Sequence, residues 1–405
     1  MTIHPDGHRR DTDTPGVRAP GTRQARPTPR RVLILEAQIK QYRRAFFCGL
    51  GERLRGNHIE LKIAYSAPSR TERTKSDNLV LPADLGIEVP GTWLLGERVF
   101  VQRAWGPIRD AELVVIEQGN KHAVNYVLLA MSRLGRKRVA YWGHGYNHQA
   151  RAPGVSEWLK RKLITQVDWW FAYTAGVGRY LTEHGVDPEI ITVVQNTIDT
   201  RELADAVRTQ AANDRHATRR RLGISDDARV GLFCGSLYAD KKLELLIVAA
   251  EQIHARRSDF ELVIVGDGPA REQVRAAAAR LPFLHYVGPS FGRDRAAYFA
   301  ISDVFLNPGL VGLSIVDAFT AGLPMFTTDV PIHSPEIEYL EPNVNGAMTA
   351  YDASAFASAI CRVLDDPGAL ARMREAARAT AARLTMDHMI ESFATGIERC
   401  LAARP

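Results

Sequence analysis

The stretch NPGLVGLSIVDAF, residues 307–319, carries two glycines, a serine and a single carboxylate, Asp317, at the point where an apolar run turns helical. Pro308 and Gly309 close the run DVFLN, and Gly309 and Gly312 let the backbone pass close to a ligand without side-chain obstruction. The pattern predicts a helix from about Ser314 to Ala321, ended by Gly322 and Pro324. Its first amides, unpaired within the helix, suit a diphosphate. Asp317, one turn in, is placed to accept hydrogen bonds from paired hydroxyls such as those of a ribose. Ser314 and Asp317 also have the spacing of a capping box, in which the acid serves only backbone N–H groups. Both readings stand at this point.

The apolar run before Asn307 is one of a series. RVGLFCGS (229–236), FELVIVGDG (260–268), LHYVG (284–288), DVFLNPG (303–309) and LPMFTTD (323–329) read as strands, with helical segments between them. Upstream the theme repeats in RRVLILE (30–36), AELVVIEQ (111–118), RVAYWGH (138–144), WWFAYT (169–174) and IITVVQNT (190–197). Runs apolar on both faces and alternating with helices indicate parallel sheets covered on both sides. The fold class is therefore α/β: two Rossmann-like, doubly wound domains facing a central cleft. The expected division is a basic disordered tail (1–29), a first domain (30–200), a linker with a helix (201–228), a second domain (229–385) and a C-terminal helix (386–405) packing back on the first domain. Ligands of such sheets bind beyond the carboxyl ends of the strands, so both sets of ends should face the cleft.

A chain of 405 residues suits two domains, and 45% hydrophobic with 24% charged residues suits a globular protein. No apolar run is long enough to cross a bilayer and no signal segment opens the chain, so the expected location is the cytoplasm. Cys48, Cys234, Cys361 and Cys400 are dispersed, without the spacing of a zinc site or a disulfide framework. The net charge of +6 is concentrated: residues 1–31 hold seven arginines against three aspartates. A second basic cluster, 131–162, includes Arg151, Lys160, Arg161 and Lys162.

Two further stretches of the second domain point to an anionic ligand. GSLYADKKLELLI (235–247) places Gly235 and Ser236 after a strand and Lys241 and Lys242 before a helix, where a lysine can meet phosphate or simply be solvated. VGDGP (265–269) adds a tight turn at Gly266 but lacks the third glycine of a dinucleotide fingerprint. In the first domain, Gln38 and Tyr42 follow the first strand and Glu117 ends another, where a salt bridge is the alternative to a site role. His144 lies between glycines in WGHGYNHQ (142–149), where a local hydrogen bond is the alternative.

Taken together, GSLYADKK, LVIVGDGP, NPGLVGLSIVDAFTAGLPMFTTD, HSPEIEYLEPNVNG and VVQNTIDT resemble the GT-B glycosyltransferases, in particular family 4 of retaining, nucleotide-sugar-dependent enzymes. The resemblance covers about residues 30–400 and is strongest over 230–346. It implies a donor nucleotide held by the second domain and an acceptor by the first, with no metal and no cofactor. The donor-binding candidates are then Gly235, Ser236, Lys241, Lys242, Gly266, Gly309, Leu310, Val311, Gly312, Leu313, Ser314 and Asp317; the acceptor side is Gln38, Tyr42, Glu117 and Asn196. His144 resembles the family's cleft histidine and, with Lys241, is the catalytic candidate. The family's phosphate motif has an arginine where Ser236 stands, and its two glutamates seven residues apart correspond to Gly309 and Asp317. The sugar carboxylate is thus replaced by glycine, and the backbone amides of Gly309 to Gly312 are the expected substitutes.

The resemblance implies transfer of a sugar to a hydroxyl of a saccharide or lipid-linked acceptor, with retention, in polysaccharide or glycolipid assembly. Other readings are a sugar-nucleotide epimerase of the same fold and a non-catalytic sugar-nucleotide-binding subunit. The basic cluster with Trp158, Trp169 and Trp170 suggests peripheral contact with an anionic membrane at its inner face, the alternative being a solvated basic helix and core tryptophans. No nucleic-acid-binding module is seen.

Overall fold

Strands made of Val, Ile, Leu and Phe without polar alternation need cover on both faces, and the computed structural model, which describes residues 28–69, 79–145, 162–210 and 212–403, provides it twice. The first domain contains β1 (Arg30–Leu35), β2 (Ile59–Tyr65), β3 (Gly86–Glu88), β4 (Gly91–Leu94), β5 (Val99–Gln102), β6 (Leu113–Glu117), β7 (Arg138–Gly143), β8 (Trp169–Ala172) and β9 (Ile191–Val193). Seven of these form a parallel sheet in the order β3-β2-β1-β6-β7-β8-β9, while β4 and β5 make a separate antiparallel hairpin. The second domain contains β10 (Arg229–Cys234), β11 (Phe260–Val265), β12 (Leu284–Gly288), β13 (Val304–Leu306), β14 (Met325–Thr328) and β15 (Gly346–Thr349), in the order β12-β11-β10-β13-β14-β15. Each sheet reverses its winding once, between β1 and β6 and between β10 and β13. Those two reversals are the places where open α/β sheets leave a crevice for ligand.

Side-chain alternation sorts the first sheet into two cores. Val32 and Ile34 of β1, Val115 of β6, Trp142 of β7 and Phe171 of β8 pack with Phe46, Phe47, Leu50 and Leu54 of the helix Arg44–Arg55. Leu33, Leu35, Val114 and Ile116 face the opposite core. The last helix, Met386–Ala402, also covers the first of these cores, although it follows the second domain in sequence. Phe393 stacks on Phe171 with centroids 3.9 Å apart, and Arg53 meets Glu391 at 2.7 Å and Glu398 at 3.0 Å. A Cβ at Gly396 would stand 2.6 Å from the Phe171 ring, so only glycine permits this approach.

The strands Trp169–Ala172 and β7 bury Trp142, Trp169 and Trp170, which removes the last two from any membrane-facing role. No helix among the described residues is long and apolar enough to cross a membrane. The Arg-rich tail up to residue 27, together with Arg151, Trp158, Lys160 and Arg161, lies outside the described residues.

Candidate functional site

At the second sheet's reversal, the loops after β10 and β13 interlock through their backbones. A Cβ at Gly309 would collide with the Asp240 carbonyl and lie 2.6 Å from Lys241 Cα. Glycine is therefore dictated by packing, and the missing carboxylate has no space in which to stand. Next to it, Leu310 N donates to Asp240 O at 2.9 Å, and Lys241 Nζ donates to Leu310 O at 2.6 Å. Burial pulls the Lys241 ammonium below the usual lysine range, with Asp240 opposing. The chain turns back at Lys242, whose φ is 56°, and sends that side chain the other way, its Nζ 5.8 Å from the centre of the Tyr351 ring. The structure thus separates the two lysines: Lys241 belongs to the loop crossing and Lys242 does not.

Gly266 and Gly268 have a related packing role, since a Cβ at Gly266 would strike Gly235 O and one at Gly268 would lie 2.7 Å from Leu237 O. The turn is locked by Leu237 N on Asp267 O (2.9 Å) and Ala270 N on Leu237 O (2.9 Å). Ser236 remains exposed at the cleft rim.

The loop Gly309–Leu313 is held from below by His333, which is buried. Val311 N donates to its Nδ1 at 3.1 Å, so the ring proton sits on Nε2 and is shared with Thr328 O at 2.7 Å. Burial lowers the imidazole pKa, and Lys241 adds to the effect against Thr328 and Asp329. The amides of Leu310 and Val311 are consequently committed within the protein, which narrows the expected set from Gly309 to Gly312. Those of Gly309 and Gly312 have no protein acceptor among the described residues.

The helix Ser314–Thr320 begins as the sequence indicates, and Gly322 at φ 68° ends it, with Leu323 N returning to Ala318 O at 2.8 Å. The capping box does not form. Ser314 Oγ is buried with no partner, and Asp317 turns instead to Arg295 of the helix Gly292–Ala300, at 2.8 Å and 3.3 Å. Burial raises the Asp317 carboxyl pKa, and Arg295 opposes that rise. A ribose reaching Asp317 would share it with a guanidinium that no local sequence pattern announces.

Across the cleft, the first sheet's reversal carries Glu36 and Glu117, one residue beyond the Leu35–Ile116 pair of β1 and β6. Gln38 is half-buried in the following turn, and Tyr42 is exposed beneath Arg43, whose guanidinium lies 5.2 Å from its ring centre and 4.6 Å from that of Trp142. His144 is exposed just after β7, its ring 4.5 Å from Tyr173. Asn196 does not line this wall. It is buried at the junction, accepting from Arg43 at 2.8 Å, donating to Glu336 and accepting at its backbone carbonyl from Tyr339 OH at 2.9 Å. Asn196 therefore ties the domains together, and burial raises the Glu336 carboxyl above its ordinary range. Beside it, Glu338 accepts from Thr174 Oγ1 at 2.8 Å and Gly176 N at 2.7 Å, at the start of the helix Ala175–Glu183.

Glu36, His333, Arg295 and Glu336 were not singled out by sequence. Glu36 had a signal, an acid closing the apolar run Val32–Leu35. His333 and Glu336 lay in HSPEIEYLEP without a spacing that marks them, and Arg295 had none.

Residues 228–366 match the family described as Glycosyl transferases group 1. Among named relatives, a D-inositol 3-phosphate glycosyltransferase of Geodermatophilus obscurus is 27% identical over 288 residues, 67% of this chain and 61% of the relative. A GDP-mannose-dependent monoacylated alpha-(1-6)-phosphatidylinositol monomannoside mannosyltransferase of Corynebacterium glutamicum is 26% identical over 67% of this chain and 72% of its own. The chain thus spans about three fifths of the first of these relatives. Among solved structures, Anabaena Alr3699/HepE in complex with UDP superposes with a TM-score of 0.63 at 16% identity, covering 91% of this chain and 99% of that one. This likeness establishes the two-domain fold.

Proposed function

We propose that this chain, which carries a group 1 glycosyltransferase domain in residues 228–366, moves a sugar from a nucleoside-diphosphate sugar to a hydroxyl of a saccharide or lipid-linked acceptor, with retention. The observation that carries this reading is the crossing at the second reversal, where Lys241 meets a glycine loop with uncommitted amides. The relatives named above support it, since both are glycosyltransferases.

In this reading the diphosphate lies against Lys241, Ser314 Oγ and the amides of Gly309 and Gly312, with the Gly235–Ser236 turn behind it. The bond between the anomeric carbon and the phosphate oxygen breaks as the acceptor oxygen bonds to that carbon. Negative charge then gathers on the departing phosphate, where the Lys241 ammonium stabilises it, and the acceptor proton passes to a phosphate oxygen. No paired carboxylates of glycosidase type are needed for this, and neither metal nor cofactor is part of the proposal. His144, at the rim of the first domain, faces the transferred sugar.

Thermal unfolding with UDP, GDP, ADP and dTDP and their sugar conjugates is the test. A ligand at a hundred times its dissociation constant adds about 2.7 kcal/mol of stability. One nucleotide should stand out, Lys241→Ala should abolish its effect, and His144→Ala should keep it while losing transfer. Stability indifferent to every nucleotide, in folded protein, would refute the reading. Contact with an anionic membrane through 131–162 belongs to the same proposal. Charge reversal at Lys160, Arg161 and Lys162 should release the protein from anionic vesicles, and persistent binding would refute that part.

A further inference from the structure

The two sheet reversals present opposite chemistries to the cleft. One carries a lysine and amide donors; the other, between β1 and β6, carries two carboxyl groups. Glu36 and Glu117 follow paired residues of adjacent parallel strands, whose backbones run about 5 Å apart. By alternation from Ile34 and Val115, both side chains leave the sheet on the face that bears Trp142.

Arg43, whose charge acts on Glu36, is already committed. Arg43 donates to Asn196 and to Tyr173 OH at 3.3 Å and lies over the Trp142 ring. Glu117 has His122 at 3.7 Å, while no described residue donates a hydrogen bond to the Glu36 carboxyl. A ligand crevice floored by a half-buried carboxyl without a donor calls for a ligand that brings donors of its own.

We propose that Glu36 and Glu117 bind vicinal hydroxyls of the acceptor, so that the ring docked in the first domain is an uncharged polyol or sugar and not a phosphorylated one. This rests on the transferase reading and specifies its acceptor. A phosphate at this position would bring negative charge against Glu117, whereas a hydroxyl both donates and accepts. The state of Glu36 fits that partner: burial, and then the charge of Glu117, push its carboxyl up to about 8, with Arg43 opposing. Near neutral pH the Glu36 carboxyl keeps its proton and so offers a donor as well as an acceptor. The other groups around it, Tyr42 and Tyr173 beside Arg43 and His122 beside Glu117, bring no second buried cation.

The test measures transfer from the sugar nucleotide selected by the stability screen to methyl glycosides and myo-inositol, and to sugar 6-phosphates and D-inositol 3-phosphate. Nucleotide stabilisation is recorded for every variant. Uncharged acceptors should be used in preference. Glu36→Leu should raise the acceptor KM by about tenfold or more, the scale of one lost hydrogen bond to a buried polar group. Glu36→Gln should retain most of the affinity, because an amide also donates and accepts. The wild-type acceptor KM should rise as pH passes 8 and that of Glu36→Gln should stay level. Preference for the phosphorylated acceptors, an unmoved KM in Glu36→Leu, or no transfer to any of them while the nucleotide still binds would each overturn the inference. Absence of nucleotide binding would instead remove the transferase reading beneath it.

Discussion

Gly309 separates two explanations for a departure from a family pattern. If the glycine were a lost functional glutamate, Gly309→Glu would restore or increase donor affinity. The backbone of Asp240 and Lys241 already fills the space, so the substitution should instead separate the two loops and reduce nucleotide affinity, read by titration calorimetry. Gly309→Ala should have the same sign with a smaller effect. His333 offers a second test at this scale. Its folded pKa is depressed, so the unfolded chain takes up the proton first as pH falls through about 6.5. Stability should therefore fall with acidification below that point, by at most about 1.4 kcal/mol per pH unit from this one group, down to the folded pKa. His333→Asn should flatten this limb in pH-dependent thermal unfolding. An unchanged slope would mean that other groups set it.

Two short elements join the domains by different means. The 3-10 turn Pro335–Tyr339 delivers Glu338 to the first turn of the helix Ala175–Glu183, where its carboxylate accepts from the Gly176 N–H and the Thr174 hydroxyl and meets the positive end of the helix. Glu338→Ala should cost about 0.5–2 kcal/mol, the usual range for a lost cap, in denaturant unfolding. The helix Met386–Ala402 contributes apolar area instead. Removing the ring of Phe393, stacked on Phe171, should cost about 3–5 kcal/mol and loosen the first domain although the mutation lies in the last segment of the chain. The last helix and its return to the first domain were expected from its length. The turn Pro335–Tyr339 and its partner were not, because nothing local encodes a contact 162 residues away between Gly176 and Glu338.

For the whole molecule, the alternation of apolar strands and helices was enough to expect two doubly wound sheets, and both have the strand order of that fold. Five strands were not read from sequence: β3, β4, β5 and β15 have three or four residues each, and the seven-residue β2, IELKIAY, alternates polar with apolar residues at its start instead of running apolar throughout. Of the site, the glycine loops and Lys241 were singled out from sequence, but as ligand contacts and not as the backbone crossing that they form. The engagement of Asp317 by Arg295, the burial of Asn196 and the neighbourhood of Glu36 and Glu117 depend on register and domain contact, which a linear reading does not contain. What results is a cleft with cationic and amide donors on one wall and carboxyl groups on the other, the arrangement that the proposed transfer needs. A crystal structure with the nucleoside diphosphate that stabilises the protein tests this most directly. The account predicts the diphosphate against Lys241 Nζ and Ser314 Oγ, at the reversal between β10 and β13. A nucleotide bound elsewhere, with Lys241 still confined to the Leu310 carbonyl, would contradict it.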